Sequence, residues 1–463
     1  MNKNDIFELT IEDMSHDGEG IGKVDGFPLF IKDAIIGDVI EAKVTKLKKN
    51  YGYAHLNAII EPSGLRVEPR CTLHKKCGGC QIQAMDYQAQ LKFKQDLVIN
   101  NLLRIGGFGE NVICKMEPIV GMENPYRYRN KAQYPVGMKD GRIVTGFYAG
   151  RSHDIMECDD CVLGGEGNSA ILRVVKDYMK TYSVPAYDEE SAKGLIRHIL
   201  IRKGFATGEW MVCLVISKDS LPHKEKLVRM LTELEENIVS ISVSVNSRKD
   251  NVIMGDSFKV IYGEPYIHEI LSGITYMISP LSFFQVNPLQ TEKLYAKAVE
   301  YAHLTGCENV WDLYCGTGSI SLFLARKAGK VHGVEIIPQA IDDARANAKA
   351  NGFENTEFYV GRAEDVFAKQ VLNEGSSNYG KKIDVVVVDP PRKGCDEKLL
   401  DTILKMSPKR VVYVSCDSAT LARDLKILCE TDYKIEKLQC FDQFPHTVHV
   451  ETVCLLSKLH EAK

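Results

Sequence analysis

The first 61 residues alternate hydrophobic and polar positions with a period of two. Short runs such as FELTIEDM, FPLFIKDA and DVIEAKVTKL are separated by Gly-Asp or Asp-Gly pairs, and Pro62-Ser63-Gly64 ends the series. This alternation is typical of β-strands with one buried face, and strands this short with tight turns favour a small closed barrel. The pattern therefore predicts an OB-like β-barrel of about five strands over residues 1–61.

Residues 62–283 are predicted to form a central α+β region. The region begins with a cysteine-rich stretch and an amphipathic helix-like run, YQAQLKFKQDLVINNLLRIGG, and continues with strand-like pieces such as LIRHILIRK, EWMVCLVI and VSISVSVN. HKEKLVRMLTELEEN has the spacing of an amphipathic helix. Because strands outnumber helices here, we expect a mainly antiparallel sheet.

From residue 284 to residue 463 the pattern changes to regular alternation of strands and helices. The runs VVVV and RVVYV are continuously apolar, as is typical of parallel strands buried on both faces. Helical patterns such as PQAIDDARANAKANG lie between the strands. The sequence therefore predicts a doubly wound α/β domain at the carboxyl end.

Composition narrows the class of protein. The chain has 463 residues, of which 44% are hydrophobic, enough to bury the cores of several domains. No run reaches the roughly 18 apolar residues of a membrane span, and the N-terminus lacks a signal peptide, so we expect a soluble, cytoplasmic protein. Fourteen cysteines in such a protein indicate metal sites or nucleophiles rather than disulfides. Nothing indicates a protein partner, and we expect a monomer.

The strand ends of the doubly wound domain carry candidate cofactor residues. The first strand ends in DLYCGTG (312–318), the second ends at Glu335, and the fourth is followed by DPPRKG (389–394). Glu335 can accept hydrogen bonds from both ribose hydroxyls of an adenosine, although an exposed strand-end glutamate looks the same in sequence. Ser321 occupies the place of the third glycine of a dinucleotide fingerprint, which disfavours NAD or FAD. Together these motifs resemble the pocket of class I S-adenosylmethionine methyltransferases.

Cys416 and Glu451 are the candidate reactive groups. Cys416 follows the fifth strand in VSCD, where a helix N-terminus lowers the pKa of a thiol, although a free cysteine is more often a small buried hydrophobe. Glu451 lies between strand-forming residues, where burial is unfavourable without a task or a partner. A thiolate that adds to carbon 6 of uracil activates carbon 5 toward a methyl donor, and a carboxylate can then remove the carbon 5 proton.

Five motifs together resemble the RNA 5-methyluridine methyltransferase family: SFFQ (282–285), DLYCGTG (312–318), DPPRKG (389–394), VSCD (414–417) and HVETV (449–453). The resemblance implies that Cys416 is the nucleophile and Glu451 the proton acceptor. It implies four contacts to S-adenosylmethionine, from Gln285, Tyr314, Glu335 and Asp389.

A cysteine cluster lies after the barrel. Cys71, Cys77 and Cys80 form a C-x5-C-x2-C pattern, and Cys161 or Cys158 can supply a fourth sulfur. Such a set can hold zinc or an iron–sulfur cluster, and spacing alone does not choose between them. The ribosomal branch of the family carries a 4Fe–4S cluster on this spacing, so the resemblance implies iron, with Cys161 as the fourth ligand.

Basic residues beside aromatic ones indicate RNA contact. Such runs occur at Lys43–Tyr53, Tyr126–Lys131 and Arg197–Lys203, although solvated strand faces have the same appearance. The barrel resembles a TRAM domain, found in the ribosomal RNA members of the family and absent from the tRNA uridine-54 members. Barrel and cluster together therefore imply 23S ribosomal RNA as the substrate. The alternatives are the same chemistry on tRNA and a non-catalytic iron–sulfur RNA-binding protein.

Overall fold

The protein is described here by a computed structural model that covers residues 1–150 and 152–459. The first five strands close into a barrel, as the sequence predicts, in the order β1-β2-β3-β5-β4. Their bounds are β1 Ile6–Met14, β2 Gly20–Val24, β3 Phe27–Ile31, β4 Val39–Leu47 and β5 Gly52–Glu61.

A buried ion pair ties the barrel to the segment that follows it. Asp38 is fully buried and accepts hydrogen bonds from the backbone N–H groups of Ile35 at 2.8 Å and Ser63 at 2.9 Å. Arg66, just beyond the barrel, donates from Nε to the same carboxylate at 3.0 Å. The barrel is therefore anchored to the linker by Asp38, whose two carboxylate oxygens both accept hydrogen bonds.

The central sheet has seven strands in the order β13-β12-β11-β10-β7-β8-β9. Neighbouring strands are antiparallel except for β11 and β12, as expected from a mainly antiparallel pattern. The elements from the linker through this region are α1 Tyr87–Arg104, α2 Glu110–Ile113, β6 Met116–Val120, β7 Lys131–Lys139, β8 Arg142–Tyr148, β9 Ile155–Glu157, α3 Asn168–Thr181, β10 Ile196–Lys203, β11 Trp210–Ile216, α4 Lys224–Leu234, β12 Ile238–Val245 and β13 Phe258–Gly263.

The carboxyl-terminal part is built on an eight-stranded sheet in the order β18-β17-β16-β19-β20-β22-β21-β6. Its elements, with the hairpin that precedes it, are β14 Ile267–Leu271, β15 Ile274–Ile278, α5 Pro288–Ala302, β16 Asn309–Leu313, α6 Ser319–Ala325, β17 Lys330–Glu335, α7 Pro338–Ala350, β18 Thr356–Val360, α8 Ala363–Leu372, β19 Val385–Val388, α9 Glu397–Met406, β20 Arg410–Ser415, α10 Ser418–Cys429, β21 Tyr433–Phe441 and β22 Glu451–Lys458.

This sheet has the doubly wound architecture that the sequence predicts, with two apolar cores on its two faces. One core contains side chains of α5, α6 and α7, and the other contains side chains of α8, α9 and α10. Strands β16 to β20 are mutually parallel, and β22 runs antiparallel between β20 and β21. The order of the strands reverses between β16 and β19, and in such sheets ligands bind at the carboxyl edge of that switch point.

The three sequence ranges are interlocked in space. Strand β6 lies within the range predicted as central, yet it pairs with β21 at the edge of the carboxyl-terminal sheet. The hairpin β14–β15 also precedes residue 284, and its apolar side chains belong to the core beneath α5 and α7. No helix among residues 1–150 and 152–459 is both long enough and apolar enough to span a membrane.

Candidate active site

The reversed strand β22 brings Glu451 beside Cys416. Ser415, the last residue of β20, pairs with Thr452 of β22, so the next step along each strand sets Cys416 across from Glu451. Glu451 is buried, with 5% of its surface exposed, and Cys416 is partly exposed. The thiol and the carboxyl group therefore lie together at the carboxyl edge of the parallel strands.

Cys416 stands in an environment that disfavours the thiolate in the free protein. Burial, then the carboxylates of Glu451 and Asp389, raise the pKa of the Cys416 thiol to about 12, and Arg392 opposes them. Helix α10 begins at Ser418 as predicted, but the Asp417 side chain already accepts from its backbone N–H groups at Ala419 and Thr420. The pKa of Cys416 is therefore raised, against the expectation from the helix N-terminus, because burial and the two carboxylates outweigh any lowering by the helix.

A row of carboxyl groups follows the same edge. Burial raises the pKa of Asp312 to about 7 and also raises the pKa values of Asp389 and Glu451. Each carboxylate raises the pKa of the next one further: Glu335 acts on Asp312, Asp312 on Asp389, and Asp389 on Glu451. Carboxyl groups with raised pKa values are stronger bases than ordinary ones. A cation bound here would relieve their mutual repulsion, and S-adenosylmethionine carries its positive charge on the sulfonium that bears the methyl group.

Arg392 is a cation held over this row by the turn after β19. Its guanidinium lies 3.2 Å from Nε2 of His449, and Thr420 of α10 donates to its backbone carbonyl at 3.1 Å. Buried Asp424, also on α10, accepts from the backbone N–H of Cys395 at 2.8 Å and the hydroxyl of Tyr413 at 2.6 Å. The helix that follows Cys416 thus fixes the turn that carries Arg392.

The glycine loop after β16 is shaped to accept a ligand. Gly316 has open space where a Cβ would lie, and its N–H donates to Glu335 at 3.3 Å. Tyr314 adopts a left-handed φ of 79°, a conformation that costs a non-glycine residue about 1–3 kcal/mol and clusters at ligand sites. Ser321 donates to Asp312 at 2.5 Å, while the other oxygen of Asp312 has no hydrogen-bond partner among the described residues. The loop therefore has open space at Gly316, and a buried carboxyl oxygen of Asp312 lies beneath it without a hydrogen-bond partner among the described residues.

Gln285 lies in the loop between β15 and α5. The loop is fixed on both sides of it: Ser282 donates to Asp343 at 2.8 Å, and the ring of Phe284 packs on Tyr276. The backbone carbonyl of Gln285 accepts from Asn130 at 3.1 Å. This loop also carries Phe283, whose ring is 75% exposed.

The cysteine cluster surrounds a cavity of about 380 Å³ between the linker and the central sheet. Five cysteines line the cavity: Cys71, Cys77, Cys80, Cys158 and Cys161. Across residues 1–150 and 152–459, no three His, Cys, Asp or Glu side chains are close enough together to bind one metal ion. Both candidates for the fourth ligand, Cys158 and Cys161, line the cavity.

Three side chains of the basic runs have partners within the structure. Arg127 pairs with Asp160, Arg197 donates to two backbone carbonyls, and Lys203 lies over the Trp210 ring. By contrast, the barrel presents an aromatic cluster of Phe30, Tyr51 and Tyr53, with ring centroids 5.6–5.9 Å apart. In the strand register, Lys46 of β4 lies opposite Tyr53 of β5.

Sequence comparison identifies the family. The family model described as tRNA (uracil-5-)-methyltransferase matches residues 195–459, and the TRAM domain model matches residues 2–56. The chain belongs to this RNA uracil-5 methyltransferase family. An uncharacterized RNA methyltransferase of Clostridium tetani is 47% identical and covers 100% of this chain and 98% of its own length. Another from Halalkalibacterium halodurans is 48% identical, with 98% of each chain covered.

Structural comparison supports the same family and corrects one expectation. The Pyrococcus abyssi tRNA (uracil-54, C5)-methyltransferase, solved with S-adenosyl-L-homocysteine, has a TM-score of 0.77 at 28% identity and covers 97% of this chain and 100% of its own. The expectation that a TRAM barrel is absent from tRNA uridine-54 enzymes is wrong, because coverage this complete includes the barrel. Domain composition therefore does not separate ribosomal from transfer RNA enzymes. The family is dependent on S-adenosylmethionine, and the barrel is its RNA-binding module.

Three functional candidates escaped sequence reasoning as individual residues. Asp312 and Arg392 belong to the DLYCGTG and DPPRKG motifs, but their partners lie on other elements. Lys94 gave no local signal, since lysine is common on amphipathic helices. The chain carries it to a fully buried position against Asp442.

The pKa of Cys416 predicts its reactivity toward alkylating reagents. In the free protein, alkylation of Cys416 by iodoacetamide should keep rising with pH toward about 12. Glu451→Gln removes a neighbouring carboxylate, so alkylation of Cys416 at pH 9 should rise several-fold. Peptide mapping by mass spectrometry gives the rate at each site, with the exposed thiols of Cys114 and Cys307 as internal references. A rate that levels off below pH 9 would contradict this account.

Proposed function

We propose that the protein methylates carbon 5 of a specific uridine in 23S ribosomal RNA through a covalent adduct with Cys416. The pairing of β20 with β22, which sets Cys416 across from Glu451 beside the cofactor loop, is the observation that carries the proposal. A thiol and a carboxyl group at one methyl-donor site suit attack on a ring carbon followed by removal of its proton.

The chemistry assigns one role to each group. The Cys416 thiolate adds to carbon 6 of uracil, and the resulting enolate carries its negative charge over oxygen 4 and carbon 5. S-adenosylmethionine would supply the electrophilic methyl group that carbon 5 attacks, and its methyl–sulfur bond would break to leave neutral S-adenosylhomocysteine. Glu451 then takes the carbon 5 proton, the bond between carbon 6 and sulfur breaks, and Cys416 leaves as a thiolate. Arg392 offsets the negative charge of the thiolate, since it acts to lower the pKa of Cys416.

Four residues are proposed to hold the cofactor: Gln285, Tyr314, Glu335 and Asp389. Glu335, at the end of β17 next to the glycine loop, is proposed to accept hydrogen bonds from the ribose hydroxyls. Ile336 and Ile337, each 55% exposed, offer an apolar surface for the adenine ring. Asp389 belongs to the acidic row and lies close enough to Cys416 to raise the pKa of its thiol, so its negative charge favours a cationic ligand there.

Ribosomal RNA is proposed from the cysteine spacing alone, which resembles that of the ribosomal branch. A second candidate, tRNA, is favoured by the likeness to the Pyrococcus enzyme over the whole chain. In either RNA the target uridine must leave its stack to reach a buried site, so a loop is the suitable substrate. The barrel cluster of Phe30, Tyr51 and Tyr53, beside the lysines of β4, suits base stacking and phosphate contact.

The cysteine cavity is proposed to hold a 4Fe–4S cluster with ligands Cys71, Cys77, Cys80 and Cys161. Burial first, and the neighbouring thiolates next, raise the pKa of Cys80 to about 12. Without a metal, this environment disfavours the thiolate form of Cys80, and the iron ions of a bound cluster would offset the thiolate charge. Because methyl transfer moves no net electrons, we assign the cluster a structural role between the linker and the central sheet.

Two substitutions separate the steps of the reaction. Cys416→Ala should bind RNA normally but transfer no methyl group, whereas Glu451→Gln should accumulate an RNA–protein adduct that survives denaturing gels. The loss in turnover for Glu451→Gln should be about 10²–10⁴-fold, the usual contribution of a positioned base. Near-normal methylation by Cys416→Ala would exclude it as the nucleophile.

Substrate choice is tested with RNA from a strain that lacks the protein. Purified 23S ribosomal RNA and bulk tRNA are each incubated with the enzyme and S-adenosylmethionine, and 5-methyluridine is mapped. Methylation of the ribosomal RNA alone is expected. Methylation of tRNA alone would replace the first candidate by the second.

The metal assignment predicts a brown protein after anaerobic purification, with stoichiometric iron and sulfide. Cys161→Ser should lose most of the iron, whereas Cys158→Ser, its matched control on the same cavity, should retain it. A colourless protein that contains zinc would contradict the iron–sulfur assignment. The reverse result for the two variants would make Cys158 the fourth ligand.

A further inference from the structure

Residues 442–450 connect β21 to β22 and lead directly into Glu451. This connecting segment contacts each part of the molecule. Its Val448 lies in an apolar cluster with two barrel residues and two linker residues, namely Met14, Ile35, Ile82 and Met85. The backbone N–H of Ile82, two residues after Cys80, donates to the carbonyl of His446 at 3.2 Å. The connecting segment is therefore where the RNA-binding and cysteine-rich parts meet the catalytic sheet.

Helix α1 holds the start of this segment through a buried charge. Nζ of Lys94 lies 2.5 Å from Oδ1 of Asp442, and both side chains are fully buried. The same Nζ donates to the backbone carbonyl of Phe444 at 3.0 Å. Tyr87, about two helical turns before Lys94, donates its hydroxyl to Oδ2 of Asp442 at 2.8 Å. One lysine thus fixes the first turn of the segment at two points.

Further hydrogen bonds hold the middle of the segment. Gln90 of α1 accepts from the backbone N–H of His446 at 3.0 Å, and its amide nitrogen is 3.2 Å from the His446 ring. The hydroxyl of Tyr128 donates to the carbonyl of Pro445 at 3.1 Å. From α5, Gln290 donates to the carbonyl of Asp442 at 3.2 Å. The segment is held from three directions, and Lys94 supplies its buried positive charge.

The place of this ion pair next to Glu451 matters more than its contribution to stability. Buried ion pairs are often no more stabilising than packed apolar residues of similar volume, because both charges lose their hydration. A buried ion pair instead constrains geometry, because a buried charge that moves away from its partner is strongly destabilised. Asp442 directly follows Phe441, and Phe441 is the partner of Glu451 in the pairing of β21 with β22. Any shift of Asp442 is therefore passed to the strand that supports the Glu451 carboxyl group.

We propose that the Lys94–Asp442 pair is a positioning device for Glu451, which keeps its carboxyl group aligned for removal of the carbon 5 proton. The inference rests on the proposed function, in which Glu451 takes that proton as the bond from carbon 6 to Cys416 breaks. Cys416 follows β20 and precedes α10, whose Asp424 contacts Cys395 and Tyr413, and neither of these contacts involves Lys94 or Asp442. Loosening the connecting segment should therefore slow the last step and leave the first attack nearly intact.

The informative variant removes both charges together. Lys94→Met alone leaves a buried carboxylate without its cation and threatens folding, whereas Lys94→Met/Asp442→Leu replaces the pair by apolar side chains. We expect the double variant to bind S-adenosylmethionine as wild type does and to form the Cys416 adduct at a similar rate. Decay of the methylated adduct should slow about 10-fold to 100-fold, the effect of a small misplacement of a reacting group.

The measurement is a single-turnover reaction at saturating RNA, normalised to active sites titrated with RNA that contains 5-fluorouridine. Carbon 5 of that base carries fluorine in place of the proton, so the adduct forms and persists, and it counts competent sites whatever fraction of the protein has folded. Glu451→Gln supplies the limit for a blocked last step. The matched control is Arg66→Met/Asp38→Leu, which removes a second ion pair with a fully buried carboxylate, between the barrel and the linker.

The outcomes separate this inference from the function on which it rests. Slow adduct decay in the Lys94/Asp442 variant, with normal decay in the Arg66/Asp38 control, supports it. Equal decay per titrated site in the Lys94/Asp442 variant and wild type overturns it, as does equal slowing in both double variants, which would indicate general destabilisation. If wild-type protein forms no adduct with either RNA, the proposed function itself fails.

Discussion

The reversed direction of β22 is the constraint on which the rest of the site depends. Parallel strands present only their carboxyl ends at the edge where ligands bind, so every residue delivered there comes from the end of a strand. Strand β22 runs the other way, and its first residue, Glu451, therefore arrives at the same edge from the opposite side. The reversal also makes the chain cross over that edge through residues 442–450, and this crossing is where the barrel, linker and central region attach.

The features that sequence could predict are those with local signals. Period-two alternation with glycine turns predicted the barrel, and continuous apolar runs between helical patterns predicted the doubly wound sheet. Residues at the ends of parallel strands share an edge whatever the loops between them do. Tyr314, Asp389 and Cys416 could therefore be grouped before their positions were known, and they gather at one edge in the structure.

The features that sequence could not predict depend on non-local pairing. Lys94 and Asp442 are 348 residues apart in the chain, and nothing around Lys94 distinguishes it from a solvated lysine on an amphipathic helix. Strand β6 is short and finds its place only beside β21. The pKa of Cys416 depends on non-local contacts too, because the tertiary fold buries the thiol and brings the carboxylates of Glu451 and Asp389 to it from other parts of the chain.

On the proposed function, the acidic edge keeps the nucleophile and the base inactive until the cofactor binds. Buried carboxyl groups that repel one another retain protons in the free protein, and beside them the Cys416 thiol stays protonated. A bound sulfonium cation lowers the pKa of every nearby acid by Coulomb attraction. On the proposed function, cofactor binding therefore prepares both the thiolate and the carboxylate, and the rigid approach of residues 442–450 decides whether the carboxylate meets the carbon 5 proton.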